Sequence, residues 1–421
     1  MKTKSMIKNP YFVMSSIIVF LFGTAIVNST DKKDIIRGLI KIYESPDILI
    51  TDYIELAGLP AAFANSAIMG TVFVTLLLLT KHQPNPKTMM AFWLVCGFSF
   101  FGKNMVNTTP ILIGGFLFSK FRKQPFKEHI VTTFLATGLA PAVMQIYYLT
   151  PFRNIIGIIM GIILGILIGF ILIPISNHTS KMNTGHNLYN SGFSAGLVAM
   201  LVMAFFRGSG INFTTNSIWS EGNNDIIVIF VYVISVAMIL YGIITTSDLK
   251  QLLTKIFKDL FTKDYQGDSD HIRSYLYVNM GVLGIFSCIF LGILQVEVSG
   301  PVLGAVFTIM GFGCCGKSIK NILPIMIGGT IAGSISVYGL ETPSVIIAIL
   351  FSSCLAPIVR DYGIIWGIVA GVLHVTFVMS SGDFYGGLNL YNNGLAGGFV
   401  AIILVPIIET IQARKESLSE T

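Results

Sequence analysis

The chain alternates between long apolar runs and short polar connectors, and the apolar runs show no helical face. Residues 13–27 (VMSSIIVFLFGTAIV), 155–175 and 226–244 are apolar on every side. Such helices belong in a core or in lipid, and these are long enough to cross a bilayer. In the first half the pattern predicts spans over about 11–28, 59–80, 130–148, 152–175 and 189–206. Between the second and third lie two shorter stretches, 89–101 and 108–119, parted by the polar run GKNMVN. Each reaches roughly 20 Å as helix against a hydrocarbon core of about 30 Å, which predicts a re-entrant or broken-helix hairpin. The corresponding stretches of the second half, 300–315 and 322–338, are longer, so full crossings are the alternative there.

The pattern is written twice. FGKNMVNTTPILIGG (101–115) lies on CGKSIKNILPIMIGG (315–329) at an offset of 214 without a gap. The same offset pairs Asn65 with Asn279 and Gly70 with Gly284, and an offset of 216 puts LAP (139–141) on LAP (355–357). An offset of 202 pairs Asn187, Tyr189 and Asn190 with Asn389, Tyr391 and Asn392. Matches in one order along half a chain indicate an internal duplication. The reading is of two membrane repeats, 1–206 and 207–421, each with about five transmembrane helices plus the hairpin. The basic N-terminus followed by an apolar run resembles a signal peptide. Its counterpart at 226–245 lies in mid-chain, so 11–28 reads as a retained helix.

Charge orients the copies. Lys and Arg collect in cytoplasmic loops. The head MKTKSMIK holds three lysines, whereas its counterpart 207–225 holds one Arg and two acids. The loop 120–129 carries Lys120, Arg122, Lys123 and Lys127, whereas 334–342 carries no base. Equivalent loops of opposite bias predict inverted topology in the cell membrane, with both termini cytoplasmic. The fold class expected is thus an all-α polytopic membrane protein of two inverted repeats.

Composition adds exclusions. Of 421 residues 53% are hydrophobic and 11% charged, too few charges to coat a water-facing surface. The net charge of +6 suits cytoplasmic loops rather than a nucleic-acid partner. Cys96, Cys288, Cys314, Cys315 and Cys354 all lie in apolar segments with no ligand or disulfide spacing. No P-loop, paired carboxylates within a span or metal-ligand cluster is legible, so no catalytic residue, metal or cofactor is expected.

Candidate chemistry sits at the interruptions shared by both copies. Asn187, Tyr189 and Asn190, with Asn389, Tyr391 and Asn392, each stand before a small-residue helix. They either line a solute pathway or cap the helix that follows. Lys103 and Lys317 follow the hairpin breaks, with Asn107 and Asn321 four residues on. Within a re-entrant hairpin they would be intramembrane charges that set charge preference; at full crossings they would snorkel to headgroups. Asn65 and Asn279 either line the axis or bond across helices. His374, with Leu164 read as its opposite number, and Asp383 are candidates for ion or proton coupling, or a satisfied neighbour and a loop carboxylate. Gly157, Gly161, Gly165 and Gly169 form a small-residue stripe for helix packing, within a repeat or between protomers.

With these paired motifs the whole chain resembles an uncharacterised bacterial family of multi-pass membrane proteins, the domain of unknown function 1576, which implies no activity. Short motifs are also similar to those of urea transporters, whose halves are inverted repeats of five spans plus a re-entrant segment. FANSAIMG (63–70) resembles their F-x-x-N-P-x-x-G signature without its proline. LYNSGFSAGLVAM and LYNNGLAGGFVAI resemble their Y-N-x-x-L-V-G-L signature, at a wider spacing of about 120 residues from the first motif. This resemblance implies a channel or facilitator for a small polar solute, urea- or amide-like or a small anion. A cation- or proton-coupled transporter is the alternative, and a membrane-embedded enzyme or partner-binding subunit is the reading from another class. The partners expected are the lipid bilayer and the solute, with a homo-oligomer compatible with the apolar perimeter.

Overall fold

A computed structural model describes residues 9–47, 50–148, 155–182, 185–211, 217–246, 248–259 and 269–419. The lysine-bearing head MKTKSMIK and part of the connector 207–225, used above to compare charge, lie outside them. So does the side chain of Asp383, whose backbone lies in a short 3-10 turn.

Apolar residues on every helix face leave lipid as the only solvent for the perimeter, and Val19, Leu79, Leu201, Ile244 and Ile365 are exposed there. The chain is an all-α polytopic membrane protein. Among the described residues ten helices are long and apolar enough to cross a membrane. Five fall in the first half: Pro10–Val27, Leu59–Leu79, Ile130–Tyr147, Ile155–Met182 and Asn190–Gly208. Five fall in the second: Asn224–Thr245, Ser274–Ile293, Pro343–Tyr362, Ile364–Ser381 and Asn392–Leu418. The polar connectors after the first helix of each half fold into short helices, Lys32–Tyr43 and Leu249–Asp259.

The hairpins are alike in length. Each has an entering arm of 13 residues, Pro86–Phe98 and Gly300–Phe312, and a returning arm of 17, Met105–Phe121 and Ile319–Ile335. At 1.5 Å per residue the arms measure roughly 20 and 26 Å, short of a full hydrocarbon core. The second hairpin's arms are therefore no longer than the first's.

Contacts between the halves come in exchanged pairs, the signature of a two-fold relation. Trp93 and Phe307, equivalent under the 214 offset, pack edge to face on each other at 4.9 Å. Gly192 and Gly394, equivalent under the 202 offset, meet backbone to backbone, so that a Cβ on Gly192 would lie 2.9 Å from Gly394 Cα. A side chain at either glycine would push the two helices apart. The entering arms run antiparallel, with Gly97 against Gly304 and Gly311 against Met90 and Trp93. The two-fold axis thus passes between the paired arms and between the starts of the Asn190 and Asn392 helices.

Exchanged pairs also correct one alignment. Gly169 packs on the Ile111 carbonyl and Gly371 on the Ile325 carbonyl, while Gly165 meets Pro110 and Gly367 meets Pro324. These fix the offset between the Ile155 and Ile364 helices at 202, so Leu172, not Leu164, stands opposite His374. Gly165 and Gly169 of the glycine stripe thus pack inside their own repeat against the returning arm of the hairpin, and Gly161 packs on the Val143 carbonyl of the same repeat.

Candidate functional site

Each hairpin breaks where a glycine takes a left-handed conformation, Gly102 at φ 83° and Gly316 at φ 101°, which other residues rarely adopt. The lysine that follows is directed inward. Lys103 and Lys317 are buried, at 0% and 1% exposure, so neither snorkels to headgroups. Lys103 Nζ donates to the Tyr391 hydroxyl at 2.5 Å, and Lys317 Nζ donates to the Tyr189 hydroxyl at 2.5 Å. The first lysine therefore meets the second repeat's tyrosine, and the second lysine meets the first's. Each ammonium also lies over aromatic faces: Lys103 is 4.7 Å from the Tyr391 centroid and 5.2 Å from Phe98. Lys317 is 4.5 Å from Tyr189 and 5.2 Å from Phe312. Such contacts recover part of the cost of burying a cation. Among the described residues no carboxylate lies within ion-pair distance of either lysine.

The paired asparagines build the frame around these groups. Asn65 Nδ2 donates to the Ser99 and Lys103 carbonyls, and Asn279 Nδ2 to those of Gly313 and Lys317. Both therefore hold hairpin breaks across helices rather than line the axis. Asn107 and Asn321 accept from the backbone N–H of Asn104 and Ser318 and donate to the Gly102 and Gly316 carbonyls, closing the start of each returning arm. Asn187 and Asn389 accept from the Tyr189 and Tyr391 N–H groups at 2.9 Å, fixing the turn that presents each tyrosine. Asn190 Nδ2 reaches back to the Ser176 carbonyl, and the helix it begins is preceded by Tyr189 with no side-chain cap. In the second copy Asn389 Nδ2 and Asn392 Oδ1 are buried without a partner. His374 Nε2 lies 3.1 Å from Asn393 Oδ1, and its Nδ1 has no partner.

A cavity of about 480 Å³ occupies the axis, and both tyrosines line it. Its walls are Met90, Leu94, Phe98, Phe312 and Phe351, with Asn187, Asn190, Ser191, Thr308 and Asn393 as polar contacts. It extends past Leu188 and Cys315 to Lys87, Asn177, Ser180 and Gly185, beside the Lys317 hairpin break. The packing beside Lys103 is tighter. A Cβ on Gly102 would lie 2.6 Å from Leu390, whereas nothing lies within 4 Å of the equivalent position on Gly316. Phe101, equivalent to the half-exposed Cys315, is 3% exposed.

Several residues at the site escaped the sequence reading. Ser353 Oγ accepts from Lys317 Nζ at 2.7 Å. Asp47 accepts from Tyr53, Asn104 and Asn107 at the closed end. Burial pushes its carboxyl up to about 7, against the lowering effect of these donors. Asp52 accepts from the Ser220 N–H and hydroxyl and the Gly300 N–H, tying the first repeat to the start of the second hairpin. Phe98 and Phe312 are legible as a pair at the 214 offset; Asp47 and Asp52 sit in a connector with no repeat signal.

Three or more His, Cys, Asp or Glu side chains do not cluster as a metal site among the described residues. No curated protein and no solved structure matches the chain. A family profile, described as a protein of unknown function (DUF1576), matches residues 31–208 and again 234–410, one match per repeat. The chain belongs to the DUF1576 family, whose unit it carries twice.

Proposed function

We propose that this protein is a facilitative carrier for a small polar solute, in which the axial tyrosines and asparagines form the solute site. The observation that carries the reading is a cavity that reaches both Tyr189 and Tyr391, with Leu390 packed over Gly102 beside one and nothing over Gly316 beside the other. A channel needs a continuous passage. A cavity packed unequally at its two ends, between two exchanged repeats with broken helices, suits a carrier that exposes the site to each side in turn. Five crossings per repeat, with hairpins that return to their own side, would set the copies in inverted topology. Both termini would then lie on one face, which the basic loop 120–129 makes cytoplasmic, in the cell membrane. The open end of the cavity is then cytoplasmic. The role is transport rather than catalysis.

Flux into liposomes containing the purified protein tests this, with urea, amides, short carboxylates and inorganic ions as solutes. A carrier gives saturable flux for at least one of them, and none for any solute would sink the reading. Flux unchanged by Asn190→Ala together with Asn392→Ala would remove the site assignment. His374, with one ring nitrogen on a cavity residue and the other unpartnered, favours proton coupling as a second reading. That version predicts pH-gradient-driven accumulation, lost in His374→Gln.

A further inference from the structure

The axial cavity gathers hydrogen-bond donors and helix N-termini, with no acid in its lining. The Asn190–Gly208 and Asn392–Ser419 helices both begin on it, and Asn190, Ser191 and Gly192 of one face Asn393 and Gly394 of the other. The N–H groups of a first turn have no acceptor within their helix, and the helix dipole adds roughly half a positive charge at that end. Behind each cavity tyrosine stands a buried lysine whose Nζ donates to the hydroxyl. A hydroxyl that accepts from an ammonium keeps its own proton to donate, and the donation is strengthened by polarisation. Among the residues lining the cavity none is Asp or Glu, and Lys87 adds a third cation at the open end.

We infer that the axial site binds a small organic anion of the carboxylate class. Its oxygens accept from the Tyr189 hydroxyl and the first turn of the Asn190–Gly208 helix. Its apolar body lies against Leu94, Phe98 and Phe351, the hydrophobic part of the wall. The volume of about 480 Å³ suits a small molecule rather than a bare ion. Lys317 acts through Tyr189, as a positioning residue that polarises the hydroxyl and supplies the counter-charge. Lys103 and Tyr391 form the equivalent group at the closed end. The inference deepens the carrier reading, and its transport arm rests on that reading.

Lactate and its neutral isostere lactamide separate charge from shape. Purified full-length protein is heated with each, and uptake of each into proteoliposomes is compared, with nitrate as an anion lacking the apolar body. Lactate is expected to raise the melting temperature where lactamide and nitrate do not, and to enter about tenfold faster than lactamide, the scale of a charge-assisted hydrogen bond. Lys317→Met and Tyr189→Phe are expected to remove that preference and Lys317→Arg to keep it, with size-exclusion profiles confirming folded protein. Lactamide equal to lactate in binding and uptake, or a preference for lactate that survives Lys317→Met, overturns the anion site but leaves a carrier. Stabilisation by lactate without uptake keeps the anion site and removes the carrier. Neither stabilisation nor uptake overturns both.

Discussion

The two ends of the axial cavity are built from equivalent residues and differ in packing. At one end Tyr189 and Phe312 border the cavity with Lys317 behind the tyrosine, and Gly316 has nothing over it. At the other, Lys103, Tyr391 and Phe98 repeat the geometry under Leu390, which covers Gly102. The backbone bond from Leu188 N–H to the Cys354 carbonyl has its counterpart from Leu390 N–H to the Gly138 carbonyl, both 2.9 Å. The skeleton is thus shared and the closure is not. The Asn187 Nδ2 bond to the Gly394 carbonyl is made, while its equivalent donor, Asn389 Nδ2, is buried and unpartnered. Duplication alone would give two identical ends. The difference lies in how tightly side chains close over a common frame, which a carrier can exchange between the ends.

The largest expected effect concerns a carboxylate that the closed end has. Asp47 binds the returning arm through Asn104 and Asn107. Burial pushes its carboxyl up from 3.8 to about 7 in the folded protein. Since the folded state holds the proton more tightly, this group's contribution to stability is complete below about pH 4. It is lost as pH rises through 7, by up to about 4 kcal/mol at 1.36 kcal/mol per pKa unit. Thermal unfolding in detergent between pH 4 and 8 is expected to show this decline, and Asp47→Asn to flatten it. A variant that declines as steeply as the wild type would show that Asp47 does not hold this end.

The tyrosines sharpen the comparison next. If each end serves in turn, Tyr189→Phe and Tyr391→Phe both lose about tenfold or more in flux, since each removes the hydroxyl to which a buried lysine donates. Loss in Tyr189→Phe alone would mean that the closed end stays closed. Accessibility reads the same question directly and gives a several-fold effect. Cys315 lines the cavity, while Cys96, Cys314 and Cys354 are buried. An impermeant maleimide is expected to label Cys315 from the open side. Phe101→Cys, at the equivalent position, should resist label from the other side until solute is supplied. Equal labelling of both positions without solute would point to a continuous passage.

Much of this was legible because symmetry turns single residues into pairs. The helix count, the hairpins and the Asn-x-Tyr-Asn and Gly-Lys motifs are all written twice, and each pair fell near the axis. The lysine–tyrosine partnership was not legible, because it joins residues 288 and 128 positions apart across the two copies. Periodicity and offsets reveal which residues are equivalent, not which copy each one touches. Asp47 and Asp52 were invisible for a different reason. Both belong to a polar connector that reads as surface and instead folds inward against Asn104 and Gly300. The asymmetry of the ends could not be read at all, since Gly102 and Gly316 occupy equivalent places in the sequence.

The smallest effect comes from the residue that distinguishes the lysines. Lys317 has a second partner, Ser353, whose hydroxyl also donates to the Leu350 carbonyl. The equivalent residue, Thr137, spends its hydroxyl on the Phe134 carbonyl and makes no bond to Lys103. Ser353→Ala removes one acceptor from an amine that keeps Tyr189, so the cost should be near that of one hydrogen bond, about 1 kcal/mol. Flux is then expected to fall about fivefold, with Thr137→Ala changing it little. If Ser353 serves only while its end is open, the same variant should shift the population toward the opposite closure. Labelling of Cys315 would slow and that of Phe101→Cys would quicken. A fall in flux with both labelling rates unchanged would instead assign Ser353 to the affinity of the site, and the ends would differ in strength rather than in turn.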